Sequence, residues 1–81
     1  MEFTMQIKPL ARNDLTIGDV ATRNGLAHSA IRFYEEEGLV FPLRNAGGQR
    51  RFDRSDIRRL SFVMISQGLG FSLPDIREAL K

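Results

Sequence analysis

The stretch "LTIGDVATRNGLAHSAIRFYEEEGLV", residues 15–40, decides the fold of this chain. Thr16 is a favourable helix N-cap, and Asp19 stands three positions later, as in a short version of a capping box. An apolar stripe with helical spacing follows, formed by Ile17, Val20 and Ala21. Gly25 stands where a glycine commonly ends a helix. The pattern predicts a first helix over residues 17–24.

A second helix is predicted directly after this turn. Its apolar face is formed by Ala27, Ala30, Ile31 and Tyr34, and Gly38 ends it. Two short helices joined by a glycine-containing turn are typical of a helix-turn-helix. Because each helix has only about two turns, neither is stable alone, and both must pack on other elements.

The next segment, "LVFPLRNAGGQRRF" at residues 39–52, predicts a strand, a turn and a strand. Pro42 fits only an edge strand, because it has no amide hydrogen to donate. The residues from Asn45 to Gly48 tolerate the positive φ angles that a hairpin needs, and Gly47 and Gly48 are predicted to form its turn. The hairpin is predicted to form a wing. We expect Phe52 to anchor it, and Phe33 and Phe41 to pack as well.

Two further helices complete the predicted fold. Asp53 and Asp56 cap a third helix whose apolar positions, Ile57 to Ile65, make its middle apolar nearly all round. Gly68 and Gly70 break it, and Ser72 caps a fourth helix that runs to the chain end. The fold class is therefore mainly α with a small β-hairpin, a winged helix-turn-helix of four helices plus a wing. Residues 1–13 are predicted to be a flexible N-terminal arm, and residues 14–81 the domain.

Length and composition exclude several classes of function. The 81 residues allow one small domain, and the chain has no cysteine and a single histidine. Disulfides and thiolate metal sites are therefore excluded, and a histidine metal site would lack partners. No nucleophile motif, phosphate loop or zinc-binding motif is present, so we do not expect an enzyme. No apolar run is long enough for a membrane span, which predicts a cytoplasmic protein.

The charge distribution indicates an anionic partner. The net charge is only +2, but ten of the twelve basic residues are arginines. Residues 44–59 hold six arginines and two acidic residues, a local charge of +4. The planar guanidinium donates two hydrogen bonds side by side to phosphate, which lysine does not. One face of the domain is therefore predicted to meet an acidic partner such as nucleic acid.

The helix-turn-helix pattern indicates which residues meet DNA. The second helix of such a motif enters the major groove with its N-terminal residues at base edges. On that helix the candidates are His28, Ser29, Arg32 and Tyr34. On the wing they are Arg44, Asn45, Gln49, Arg50 and Arg51. These arginines would lie along the phosphate backbone, which positions a protein without reading sequence.

Alternative interpretations remain for several of these residues. His28 also fits a solvated surface position, and Ser29 also fits a helix cap. The Tyr34 ring fits the core with its hydroxyl outside. The third helix carries three arginines, Arg54, Arg58 and Arg59, which suit either its solvated face or phosphate. The acidic run 35–37 opposes the helix dipole, and suits ion pairing with those arginines, repulsion of DNA or a solvated turn.

These residues resemble the DNA-binding domain of the MerR family of transcription regulators. The resemblance rests on residues 15–40 followed by "GGQRRFDRSDIRRL", and covers about Leu15 to Leu80. The wing "RNAGGQRRF" is similar to that of the redox-sensing SoxR-like branch. The resemblance implies a homodimer that binds a pseudo-palindromic promoter and acts on RNA polymerase through the DNA it distorts. It adds Thr16 and Ile17 as a helix start whose amides meet phosphate. It also matches Ser29, Arg32 and Tyr34 of the recognition helix and the five wing residues above.

Family members continue into a dimerisation helix and an effector segment, which in the SoxR-like branch binds a [2Fe–2S] cluster through cysteines. This sequence ends at Lys81 without a cysteine. We therefore expect no cofactor in this chain, and expect an N-terminal fragment or a natural single-domain variant. Two other functions stay open: an excisionase-like architectural DNA-binding protein with the same fold, and a protein-interaction module that docks through its fourth helix.

Overall fold

The computed structural model describes residues 14–81, which form four helices and one two-stranded antiparallel sheet. The elements in chain order are α1 (Ile17–Asn24), α2 (His28–Glu36), β1 (Leu43–Arg44), β2 (Arg50–Arg51), α3 (Arg54–Gly68) and α4 (Leu73–Ala79). The predicted fold class is confirmed, and α1 has the predicted bounds. The predicted N-terminal arm, residues 1–13, lies outside the described residues.

The predicted helix caps are present because the side chains at the helix starts satisfy free backbone amides. Thr16 Oγ1 accepts from the Asp19 amide at 3.0 Å, and Asp19 Oδ2 accepts from the Thr16 amide at 2.9 Å. Asp53 and Asp56 form the same reciprocal pair at the start of α3. Ser72 Oγ caps α4. Each cap of this kind contributes about 1 kcal/mol.

The core lies where α1 packs against α2 and α3, and where α4 packs against α3. Its fully or nearly fully buried apolar side chains are Val20, Ile31, Tyr34, Leu39, Val40, Phe52, Leu60, Val63 and Ile76. Phe52 is fully buried, as predicted for the wing anchor. Its backbone also pairs with Leu15 through two hydrogen bonds of 3.0 and 2.8 Å. The wing is therefore tied to the segment that leads into α1.

The hairpin is shorter than the predicted strand, turn and strand. Only two residues of each strand pair, with Leu43 opposite Arg51 and Arg44 opposite Arg50. Leu39 and Val40 lie in the core without being part of a strand. The apolar start of the segment therefore serves the core, and regular pairing begins only beyond Pro42.

Several apolar predictions were wrong. Phe33 and Phe41 are 44% and 64% exposed rather than packed. Phe62 and Ile65 are exposed as well, so α3 is covered on one side and not all round. A domain this small has too little other chain to enclose its longest helix. Helix α4 also ends at Ala79, before the chain end.

Candidate nucleic-acid interface

The N-terminal half of α2 presents polar side chains to solvent. His28, Ser29 and Arg32 are all exposed. Ala27 is the N-cap of α2 and makes no side-chain hydrogen bond, so the interpretation of Ser29 as a cap was wrong. His28 Nε2 lies 4.0 Å from the position that a Cβ on Gly18 would take. The start of α2 therefore lies beside the first turn of α1.

Tyr34 faces inward, unlike these three residues. Its ring is buried, and its hydroxyl donates a hydrogen bond of 2.6 Å to Gln67 Oε1 on α3. The core interpretation of the ring is confirmed. The phosphate contact stays a prediction, and donation to phosphate would require the hydroxyl to leave Gln67, since it has one hydrogen to donate.

The wing turn is organised by Asn45. Its Oδ1 accepts from the Gly47 and Gln49 amides at 3.0 and 2.9 Å, and its Nδ2 donates to Gln49 Oε1 at 3.1 Å. Gly47 and Gly48 both lie in the turn, as predicted, and of the two only Gly48 has a positive φ, of +83°. Asn45 and Gln49 thus shape the turn, and their predicted DNA contacts remain untested.

A cleft of about 250 Å³ separates the wing from the start of α1. It is lined by Thr16, Ile17, Arg44, Gly48, Gln49, Arg50 and Arg51. Six of the eleven predicted contact residues therefore meet around one concave surface. The first amides of a helix lack intrahelical acceptors, so the α1 start brings a partial positive charge to this cleft. Guanidinium groups and helix amides around one cleft suit an anion the size of a phosphate group.

Two residues of the acidic run 35–37 form ion pairs with arginines, and these arginines lie on the wing and α4 and not on α3, the partner considered in one of the three interpretations. Glu35 Oε1 lies 2.6 Å from Arg50 Nε, and Glu35 Oε2 lies 3.6 Å from Arg44 Nη2. Glu37 instead contacts Arg77 on α4, at 3.4 Å. The last turn of α2 is therefore held to the wing on one side and to α4 on the other.

Three residues that position these elements were missed by the sequence reasoning. Asn24 Nδ2 donates to the Ile57 carbonyl and to Ser61 Oγ, and so ties the end of α1 to α3. Arg59 Nε donates to the Leu39 carbonyl, and its guanidinium lies 5.2 Å from the centre of the Phe41 ring. Arg77 Nε donates to the Glu37 carbonyl. No local pattern marks these long-range contacts in the sequence.

Two aspartates of the helix caps have shifted pKa values. The backbone and side-chain hydrogen bonds with Thr16 hold the pKa of Asp19 below its usual 3.8. Burial raises the pKa of Asp56 above the same value. Asp19 also interacts electrostatically with Arg51, so a fixed negative charge lies near the cleft. The cleft therefore combines arginines with nearby carboxylates that moderate its positive potential.

Other kinds of site find little support in residues 14–81. This part of the chain holds no group of three or more acidic, histidine or cysteine side chains placed to bind a metal ion. None of its helices combines the length and apolar character that crossing a membrane requires. Within this range, the cleft and the exposed start of α2 are the surface that suits the predicted anionic partner.

Comparison with curated proteins agrees with the geometry. A family model described as MerR HTH family regulatory protein matches residues 15–81. The chain is 46% identical over 71 residues to the HTH-type transcriptional activator SoxR homolog of Chromobacterium violaceum, which covers 88% of this chain and 48% of the relative. It is 39% identical over 66 residues to the HTH-type transcriptional regulator HmrR of Rhizobium leguminosarum bv. viciae, covering 82% and 51%. The chain thus spans about half the length of these relatives.

Solved structures share the fold. HiNmlR, described as a MerR family regulator lacking the sensor domain and bound to promoter DNA, matches with a TM-score of 0.71 and 34% identity over 78% of this chain and 51% of its own. The transcription regulator PbrR691 from Ralstonia metallidurans CH34, in complex with lead(II), matches with a TM-score of 0.76 and 31% identity, covering 82% and 52%.

Proposed function

This chain belongs to the MerR HTH family of regulatory proteins, and we propose that residues 14–81 are the domain with which a transcription regulator binds double-stranded promoter DNA. The exposed start of α2 enters the major groove, where Ser29 and Arg32 meet base edges. The wing and the start of α1 lie on the phosphate backbone. The family match and the SoxR homolog relative support a regulator over an excisionase-like protein.

The cleft between the wing and α1 is the observation that carries this proposal. It brings together three arginines and a helix N-terminus beside the exposed start of α2. DNA-binding proteins commonly use some contacts to phosphate, which position the protein, and others to base edges, which give sequence specificity. Here neighbouring elements would make the two kinds of contact. The structure of HiNmlR bound to promoter DNA supports the same partner.

The proposal extends to the full-length regulator of which this domain is typical. We propose that it acts as a homodimer, so that two copies of α2 meet two half-sites. It works in the cytoplasm and affects RNA polymerase indirectly, through the promoter DNA. A [2Fe–2S] cluster stays a prediction about the longer SoxR-like proteins, because this sequence holds no cysteine to bind one.

A salt series tests the proposal. The affinity of the 81-residue chain for a labelled duplex of arbitrary sequence is measured by fluorescence anisotropy as the KCl concentration rises. The slope of log K against log salt falls by about 0.9 for each phosphate neutralised. Replacing Arg50 and Arg51 by alanine should therefore weaken binding to all sequences and flatten the slope by up to about 1.8.

Lys81→Ala is the control for the loss of a positive charge. Lys81 lies beyond α4, pairs with Glu78 and does not line the cleft, so its loss should leave the slope almost unchanged. Wild-type affinity that hardly responds to salt would overturn the proposed function. Wild-type affinity for arbitrary DNA in the double arginine variant would show that the wing does not bind phosphate.

A further inference from the structure

We propose that Glu35 is a positioning residue for DNA binding, which fixes the wing relative to α2 by holding one arginine from each strand. This inference rests on the proposed function, because it concerns the two elements that would meet the DNA. Glu35 itself lies in the last turn of α2, opposite the end that reads the groove.

A single carboxylate makes both contacts. Glu35 Oε1 lies 2.6 Å from Arg50 Nε on β2, and Glu35 Oε2 lies 3.6 Å from Arg44 Nη2 on β1. Arg44 and Arg50 are direct partners across the hairpin. Like charges at such a position repel each other, so a carboxylate between them removes a destabilising contact as well as making two favourable ones.

The hairpin needs such a tie because its own pairing is minimal. Each strand has two residues, and an isolated hairpin of this size is marginal in water. One end is anchored by the bridge between Phe52 and Leu15. The other end projects as a turn whose hydrogen bonds are all internal to the wing. Glu35 supplies a contact between that projecting hairpin and the helix that precedes it.

The geometry leaves Arg50 able to bind phosphate while it is held. The contact with Glu35 uses Nε, and Arg50 is one of the residues that line the cleft, so its two Nη groups keep their hydrogens for an anion. The Glu35 side chain is only 25% exposed, so solvent screens this contact less than it screens an open surface pair. Glu35 therefore holds Arg50 beside the cleft through Nε and leaves the Nη groups to phosphate.

Glu36 supplies a matched control. It lies next to Glu35 in the same turn, is exposed, and makes no ion pair in the described part of the chain. Glu35→Gln and Glu36→Gln change the net charge by the same amount. Any gain from reduced repulsion of DNA is therefore common to both, and the difference between them reports the tie to the wing.

The test measures the affinity of both variants for a duplex of arbitrary sequence across the same salt series. We expect Glu35→Gln to bind roughly five-fold more weakly than Glu36→Gln, which matches the upper range for a partly exposed ion pair. Its salt slope should be shallower by about 0.9 for each phosphate that the wing no longer neutralises. Its melting temperature should stay close to that of Glu36→Gln, because the tie lies outside the core.

A double-mutant cycle links the effect to Arg50. Arg50→Lys keeps the charge but removes Nε together with the two Nη groups, so it loses the tie to Glu35 and part of the phosphate contact and should weaken binding more than Glu35→Gln does. Combining the two should add little further loss, because both remove the same contact. Additive losses would overturn the inference.

Two outcomes of the first comparison would also overturn it. Equal affinities of Glu35→Gln and Glu36→Gln would mean that the net charge of this turn affects DNA binding and the contact of Glu35 with the wing does not. Tighter binding by Glu35→Gln with a steeper slope would mean that Glu35 holds the arginines away from DNA. If the wild-type chain itself shows no salt-dependent affinity, the proposed function fails as well, which is a distinct result.

Discussion

Replacing Gly48 by alanine should weaken DNA binding without unfolding the domain. Gly48 adopts a φ of +83° in the wing turn, a left-handed conformation that costs an L-residue with a side chain about 1–2 kcal/mol. No atom lies within 4 Å of a Cβ built on Gly48, so the cost comes from the backbone alone. Because the wing projects from the core, this cost should leave the domain folded and should raise the population of wing conformations in which the turn is not formed. The loss in affinity should reach roughly 5–30-fold.

Gly47→Ala is the matched control, because Gly47 has no positive φ and its added Cβ would lie 3.6 Å from Asn45 Oδ1, an ordinary contact. It should bind like the wild type. Fluorescence anisotropy with an arbitrary duplex at low salt measures the affinities, and circular dichroism checks that both variants melt near the wild-type temperature. The reasoning is refuted if both variants lose affinity equally, or if Gly48→Ala binds like the wild type.

Two further predictions concern stability. The free energy of unfolding should depend on pH with opposite sign at the two capping-box aspartates. The contribution of Asp19 is present above pH 3.8 and is lost as the pH falls through its lowered pKa. The contribution of Asp56 is present below pH 3.8 and is lost as the pH rises through its raised pKa. In melting curves recorded over a range of pH, the melting temperature of Asp19→Asn should approach that of the wild type in acid. The melting temperature of Asp56→Asn should rise relative to that of the wild type as the pH rises. Differences in melting temperature that do not change with pH would contradict this. Phe52→Ala should cost about 3–5 kcal/mol and largely unfold the domain, while Phe41→Ala, at a site 64% exposed, should cost less than about 1 kcal/mol. Equal losses in melting temperature would disprove the assignment of Phe52 as the anchor.

The fold was predictable because its signals are local. Helix caps such as Thr16 and Asp53 act within three residues, so the sequence marks where α1 and α3 begin. The order of a helix-turn-helix followed by a glycine turn then limits the topology to a wing beside two helices. Even the anchoring role of Phe52 follows from its place at the end of the wing.

The details of the site were less predictable because they depend on distant side chains. The exposure of Phe33 and Phe41 depends on how much chain surrounds them, which no local pattern reports. Glu35 forms an ion pair with an arginine on the wing, and Glu37 forms one with an arginine on α4, rather than with the arginines of α3. The acidic run is unusual in the sequence because it opposes the helix dipole, but only the packing of the four helices and the wing decides which arginine reaches which carboxylate.

The bridge between Leu15 and Phe52 offers a place to observe binding directly. It brings Asp14 to the wing, where the Asp14 carbonyl accepts a hydrogen bond from Arg51. Asp14 is exposed, and the chain contains no cysteine. Asp14→Cys would therefore introduce a single thiol for attachment of a fluorophore, and the backbone carbonyl at this position would still contact Arg51, which lines the cleft. Such a label would respond to the local environment of the wing as ligand arrives, without any modification of the DNA.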